Sequence, residues 1–275
     1  MASPVSHAAG TIVSLWRYPV KSMQGEELNA SLIGERGVVG DRAYALIDAG
    51  DGKIASAKNP RKWPHLFAFR ASYAEPPRSE TETAPVAITL PDGTRVAGNQ
   101  PNLATLLKPI LGREVALKAA APAKPVLEEY WPDIEGLDHR DKVTDESMPA
   151  GSFFDLAPIH LLTTATLDRL RSLHPDGRFE VRRFRPNIVV AVDGQPHEFV
   201  ENDWVGKTLA LGSEVRLQIF RPCGRCVMTT LAQSDLPGDP SILRTAVQNN
   251  RGHVGVYAKV LRGGTVRRGD AVRVE

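Results

Sequence analysis

The sequence predicts a mainly β protein of the α+β kind, with β-barrel architecture and few short helices. Three observations lead there. Short β-branched and apolar runs recur along the chain, each punctuated by Gly, Pro or Asp. No long helical periodicity and no internal repeat are present. Only two segments carry helix start signals, and many short strands with few helices favour a barrel over a parallel α/β sheet.

The elements follow in order. Residues 11–18 (TIVSLWRY) read as a strand, as does 42–48 (RAYALID), closed by the turn signal from Asp48 to Gly52. Residues 86–90 and 94–97 flank Pro91-Asp92-Gly93, a hairpin signal. Two Pro/Ala-rich stretches interrupt the pattern: 74–85, expected to be a long loop, and 118–126, expected to link two halves. The boundary therefore falls near 118–128, giving an N-terminal domain over 10–120 and a second over 128–275. Residues 187–192 (NIVVAV) form a near-continuous apolar run, as in a buried strand. Residues 208–211 and 214–220 flank Gly212-Ser213, and GGTVRRGDAVRVE at the end reads strand-turn-strand. One helix is expected over 165–174, with Leu167, Leu170 and Leu173 on one side and Thr163 or Thr164 as cap. Another is expected over 240–249, with Asp239 at the cap and Pro240 at the first helical position.

Composition narrows the function classes. The 275 residues are 42% hydrophobic and 24% charged, ordinary for a chain that buries a core. A formal charge of +2 leaves no basic footprint for nucleic acid. No apolar run is long enough for a membrane span, and MASPVSHAAG is not a secretory signal. Only Cys223 and Cys226 occur, so a disulfide scaffold is not expected; a reducing cytoplasm and a chemical or metal-binding thiol are.

Arg221-Pro-Cys-Gly-Arg-Cys226 holds that pair. It follows a strand and precedes Val227-Met-Thr-Thr230, which does not read as a helix start, so a thioredoxin-like site is disfavoured. Zinc would need further ligands, and the histidines are scattered singly, with His160 or His253 available only through the fold. One reactive or metal-bound thiolate remains, with Arg221 and Arg225 supplying charge that favours ionisation; two small buried residues at a strand end are the plain alternative. Arg182, Arg183 and Arg185 lead into the apolar strand and need anionic partners. Ordinary salt bridges suit Arg182 and Arg183, whereas Arg185 and Asn187, two apart, face one side if the strand starts there. Lys21 and Ser22, and Arg42 in Gly40-Asp-Arg42, are further candidate anion contacts. No Walker loop, dinucleotide fingerprint or nucleophile elbow is present.

Taken in order, YPVKS (18–22), GDR (40–42), RFRPNIVV (183–190), NDWVG (202–206), PCGRCVMTT (222–230) and GVYAKVLRGGTVRRGD (255–270) resemble the MOSC proteins that carry an N-terminal β-barrel domain. That group includes the mitochondrial amidoxime-reducing component and its bacterial relatives. The resemblance implies a MOSC β-barrel domain preceded by a smaller N-terminal β-barrel-like domain, with a molybdenum cofactor (molybdopterin) between them. It implies Cys226 as metal ligand and catalytic thiolate, with Lys21, Ser22, Arg42, Thr163, Arg185, Asn187, Arg225 and Tyr257 around the cofactor. Thr163 would donate to its phosphate from a helix start, and Cys223 would be a neighbour only.

The implied activity is reduction of N-hydroxylated small molecules. A separate donor (ferredoxin, flavoprotein or cytochrome b5-like) would supply electrons, since neither a membrane anchor nor a ferredoxin module is expected. Where relatives read TTVDP after the cysteine, this chain has Thr229-Thr-Leu-Ala-Gln233, without the acidic residue. The resemblance also admits a sulfur carrier with a Cys226 persulfide, or a non-catalytic cofactor carrier.

Overall fold

A computed structural model describes residues 7–194 and 198–275. Seven strands close a barrel: β1 (His7–Arg17), β2 (Ile159–Thr163), β3 (Ile188–Val192), β4 (Thr208–Leu211), β5 (Val215–Gly224), β6 (His253–Arg262) and β7 (Ala271–Val274). Around the barrel the order is β3-β2-β6-β5-β4-β7-β1, and β1 pairs back onto β3. Every pairing is antiparallel except β2 with β3. Those two strands read IHLLT and IVVAV, the continuous apolar runs that parallel neighbours require. Their crossover carries helix α2 (Thr164–Leu173) and the single turn α3 (Val181–Phe184).

The barrel interior is filled by alternate residues such as Ile12, Leu161, Val190, Leu217 and Val256. Outside it, Leu167 and Leu170 of α2 pack with Ile242 and Ala246 of α4 (Ser241–Asn250). The first barrel strand thus comes from residues otherwise continuous with the N-terminal half, and the last turns of chain lie beside it.

Between β1 and β2 the chain forms smaller sheets: 45–48 with 115–118, the meander 70–73, 86–89 and 95–97, and the hairpin 126–131 with 142–147. The Pro91-Asp92-Gly93 hairpin and the loop at 74–85 fall as expected, while of 118–126 only 119–125 is irregular, Lys118 ending one strand and Val126 beginning another. Helix α1 (Leu103–Leu111) was not expected, because Pro109 interrupts its pattern; Leu103, Leu107 and Leu111 still share one buried face, and Gly112 ends it with φ 69°. The final strand-turn-strand is not a hairpin: 264–267 pairs with 30–34, while β7 pairs with β1 and β4.

Thr163 caps α2, its Oγ1 accepting from Thr166 N at 3.1 Å, a contact worth about 1 kcal/mol. Both threonine hydroxyls donate to Glu201 Oε2 at 2.6 Å, while Glu201 Oε1 is buried without a partner. Burial raises the Glu201 carboxyl pKa, and the two hydroxyls offset this only in part. A carboxyl raised on folding binds its proton more tightly in the folded chain. Stability therefore falls as pH rises from the ordinary 4.5 through the raised value. Urea midpoints across this window should decline more steeply for the parent than for Glu201→Gln; parallel slopes would remove Glu201 as the cause.

Candidate functional site

A cavity of about 700 Å3, including its open mouth, lies where the barrel meets the smaller sheets. Its lining holds five cations (Lys21, Arg42, Lys58, Arg185 and Arg225) and a single carboxylate, Asp155. Cys226 and Met228, from the loop after β5, pack against the N-terminal core, so the cysteine sits at the junction of the two parts. The register of β5 on β6 slips between Pro222 and Gly224. Such a bulge ends pairing and redirects the chain, here turning Arg225-Cys226 toward the cavity. β5 therefore runs to Gly224, further than expected, and Val227–Thr230 is a 3-10 turn rather than an extended run.

Three cavity residues hold left-handed backbone: Ser22 (φ 64°), Arg42 (φ 46°) and Arg185 (φ 54°), half of the six such non-glycine residues described. Strained residues persist where their surroundings over-determine them, often at functional sites. The surroundings here are specific. Both Arg42 and Arg185 lie over the Tyr18 ring, at 4.5 and 4.2 Å from its centroid. Asp41 accepts from Arg42 Nη1 at 2.5 Å, from Tyr18 N at 2.7 Å and from Asn187 Nδ2 at 2.9 Å. Arg185 donates to Met23 O at 2.7 Å and has no carboxylate partner among the described residues; burial and Arg42 lower its pKa to about 10.

Lys21 Nζ donates to Phe153 O at 2.9 Å and to Asp155 Oδ1 at 2.5 Å. Burial lowers the Lys21 pKa, and Asp155 restores it only in part. Lys58 pairs with Glu129 at 2.8 Å and lies 3.8 Å from Asp155. Burial would raise the Asp155 carboxyl, but Lys21 and Lys58 together hold it below the usual range.

The two cysteines have different surroundings. Arg225 Nη1 donates to Cys223 Sγ at 2.8 Å, and Nη2 to Phe184 O at 2.9 Å. Burial pushes the Cys223 thiol up, but Arg225 and His160 outweigh it and bring it to about 6. Cys226 is instead pushed up by burial to about 11, with Lys58 and Arg225 opposing. Arg225 thus serves Cys223, while Arg221 is exposed and outside the lining. Tyr257 lines the cavity, stacked on Phe220 with centroids 6.4 Å apart. A Cβ on Gly255 would lie 2.3 Å from His160 Nε2, so glycine there lets His160 approach β6.

Lys21, Ser22, Arg42, Arg185, Asn187, Arg225, Cys226 and Tyr257 are brought together; Thr163 is not. Its hydroxyl is fully buried and given to Glu201, so it has no phosphate to meet. Asn187 lines the cavity with its amide committed to Asp41 and to His160 N. It shares no strand face with Arg185, which ends α3 before β3 begins. Arg182 forms its expected ion pairs, with Glu180 and Asp235. Arg183 does not: it donates to the carbonyls of Arg178, Thr229, Leu231 and Pro237. Lys58 and Asp155 were missed as site residues, and His160, considered only as a zinc ligand, lines the cavity. Lys58 and Asp155 sit in irregular segments without a motif, and no sequence signal placed them. Among the described residues, no three His, Cys, Asp or Glu side chains cluster as a metal site.

The structure is thus a closed β-barrel with a cysteine-bearing loop over a cationic cavity. The family model described as MOSC domain matches residues 150–273, and that described as MOSC N-terminal beta barrel domain matches 9–120; the chain belongs to this family. It is similar to mitochondrial amidoxime reducing component 2 of Rattus norvegicus, 26% identical over 236 residues, covering 81% of this chain and 67% of that protein. It is also similar to mitochondrial amidoxime-reducing component 1 of Mus musculus, 24% identical over 240 residues, covering 81% of this chain and 66% of that one. The chain spans about two thirds of the length of these relatives. The YUAD protein from Bacillus subtilis aligns over 98% of this chain and 96% of its own, at 13% identity and a TM-score of 0.49. No described helix is long and apolar enough to cross a membrane.

Proposed function

We propose that the protein binds a molybdenum cofactor in this cavity and reduces N-hydroxylated small molecules, taking electrons from a separate donor protein. The observation that carries this reading is the lining itself: one cysteine amid five cations and one carboxylate. Cys226 is the one thiol in the lining, so a metal held there would take most of its other ligands from a bound anionic group. The lining fits such a group. Arg185 lacks a carboxylate, and Arg225 Nε is buried with no partner at all. Guanidinium forks suit phosphate and other planar oxyanions.

Cys226 would hold the metal, and Lys21, Ser22, Arg42, Arg185 and Arg225 the pterin and phosphate of molybdopterin. When bound, the cofactor supplies two-electron chemistry at molybdenum. The chain's own residues bind, orient and set charge. Tyr18 and Asp41 fix Arg42 and Arg185, and Cys223 fixes Arg225. Lys58, which interacts with Cys226 and lies 3.8 Å from Asp155, is a protonated ammonium that can steady a developing negative charge. For an amidoxime, the sum is substrate plus two electrons and two protons giving amidine and water.

The same two relatives carry amidoxime reduction in their names, which supports the substrate class. A sulfur carrier asks for an accessible thiol; Cys223 is buried, and Cys226 is only partly exposed and packed against the N-terminal core. The reductase reading is therefore preferred. Protein purified from a host that makes the cofactor should carry molybdenum and pterin near one per chain, and should reduce benzamidoxime with reduced methyl viologen. Well-folded protein lacking both despite ample cofactor would overturn the reading.

A further inference from the structure

Three neighbouring strands carry a row of side chains from the cavity to open surface. His160 on β2 pairs with Tyr257 on β6, and Tyr257 pairs with Arg221 on β5. Residues paired directly across strands point to the same side of a sheet. His160 and Tyr257 line the cavity, whereas Arg221 is exposed. Phe220, half-buried, sits in the bulge beside Arg221 with its ring stacked on Tyr257. Lys259 Nζ lies over the Phe220 ring, 5.2 Å from its centroid.

The surface end of this row is cationic. β5 and β6 read VRLQIFRPCG and HVGVYAKVLR, with four Lys or Arg residues and no Asp or Glu. Of those four cations, only Arg216 has a carboxylate partner among the described residues, Glu275 at 3.0 Å. Arg251, exposed where α4 ends, adds another unpaired cation, and Arg225 N donating to Gly252 O at 2.8 Å sets that turn against the cysteine-bearing loop. Burial lowers the His253 pKa, and Arg221 and Arg251 lower it further, so both guanidinium groups stand near its ring. Leu261, two residues beyond Lys259, is 57% exposed, the most of any large apolar side chain among the described residues. A solvated face ordinarily mixes charges of both signs; one sign around aromatic and leucine side chains is the composition of a docking surface.

We propose that this outer face of β5 and β6 docks an acidic face of the electron-donor protein. Arg221, Arg251 and Lys259 meet its carboxylates, and Phe220 and Leu261 meet the apolar centre of the contact. This rests on the reductase reading of the neighbouring cavity. Charge complementarity selects an acidic partner, since a basic one would meet like charge. Location selects the electron donor: Tyr257 both lines the cavity and stacks on Phe220, so a protein seated here stands one aromatic side chain from the site that needs its electrons.

Three acidic electron carriers serve as probes: a plant-type ferredoxin, a flavodoxin and the soluble domain of cytochrome b5. Each is titrated calorimetrically at low ionic strength against the cofactor-loaded parent and against Arg221→Glu/Lys259→Glu. Both residues are exposed, so these changes empty no core position. Lys118→Glu/Lys124→Glu is the control: it reverses two exposed charges at the 119–125 loop, outside the barrel. At least one carrier should bind the parent, bind Arg221→Glu/Lys259→Glu about tenfold more weakly, bind the control as the parent, and release as salt rises. Benzamidoxime turnover driven by that carrier, once reduced, should fall in step through a higher KM for the carrier. Turnover driven by reduced methyl viologen, which needs no docking, should stay at the parent's rate.

Viologen-driven turnover with no carrier binding, or with binding that Arg221→Glu/Lys259→Glu weakens no more than the control does, would overturn the docking surface and leave the reductase reading standing. Short duplex DNA held by the parent as tightly as the best carrier would also overturn it, showing a general trap for polyanions. Carrier binding lost in Arg221→Glu/Lys259→Glu, with no benzamidoxime turnover by carrier or viologen, would support the surface and sink the reductase reading. Neither binding nor turnover would remove both.

Discussion

Arg183→Met is expected to destabilise the protein by about 3 kcal/mol or more, seen as a lower urea midpoint at unchanged slope. The side chain is fully buried, and burial lowers its pKa, yet its partners are carbonyls rather than acids. It donates to Arg178 O and Pro237 O at 2.8 Å, Thr229 O at 3.2 Å and Leu231 O at 3.3 Å. Methionine fills much of the volume but donates nothing, so these buried acceptors lose their partner at roughly 1–3 kcal/mol apiece where water does not replace it. The four carbonyls belong to α3's approach, the turn after Cys226 and the loop behind it. Their release should also loosen the cysteine, and Arg183→Lys, which keeps the charge but offers fewer directed donors, should fall between. A Met variant within about 0.5 kcal/mol of the parent, the spread of ordinary surface substitutions, would show the cluster to be dispensable.

Cys226→Ala is expected to reduce molybdenum from near one per chain to background, whereas Cys223→Ala should keep the metal. The two thiols differ in address and in charge. Cys226 lines the cavity, is pushed up to about 11 by burial, and must give up its proton to a metal, so loading should improve as pH rises. Cys223 is buried and held by Arg225, which outweighs burial and lowers its pKa. Its removal frees one arm of Arg225 and should loosen pterin retention, without touching the metal bond. Equal metal loss from both variants, with folding intact by circular dichroism, would overturn this division of roles.

Much of the architecture was legible because strands announce themselves locally. The runs at 11–18 and 187–192, the Pro91-Asp92-Gly93 turn and the α2 cap each depend on neighbours in sequence. The family resemblance gathered eight residues that do line one cavity, although they come from segments more than two hundred positions apart. What was not legible depends on contacts between distant segments. Lys58 and Asp155 sit in loops whose side chains gain meaning only against Lys21 and Glu129. Arg225 was expected to ionise Cys226; which of two nearby sulfurs it faces is set by the bulge in β5, and that bulge is a property of pairing with β6. Thr163 read equally well as a helix cap and as a phosphate donor, and Glu201, thirty-eight positions on, decides for the cap.

The closure of the barrel by β1 bears on how the protein can be cut. β1 is hydrogen-bonded to β3 on one side and to β7 on the other. A fragment starting at residue 128 would therefore carry every other stave but lack the one that joins its two flanks. Two rows of unpaired backbone groups would be left open, the condition under which sheets recruit other chains. Shuffling the two halves between relatives as independent cassettes would meet the same obstacle unless residues 7–17 travel with the C-terminal half. The covalent order of the chain and the mechanical unit it builds do not coincide.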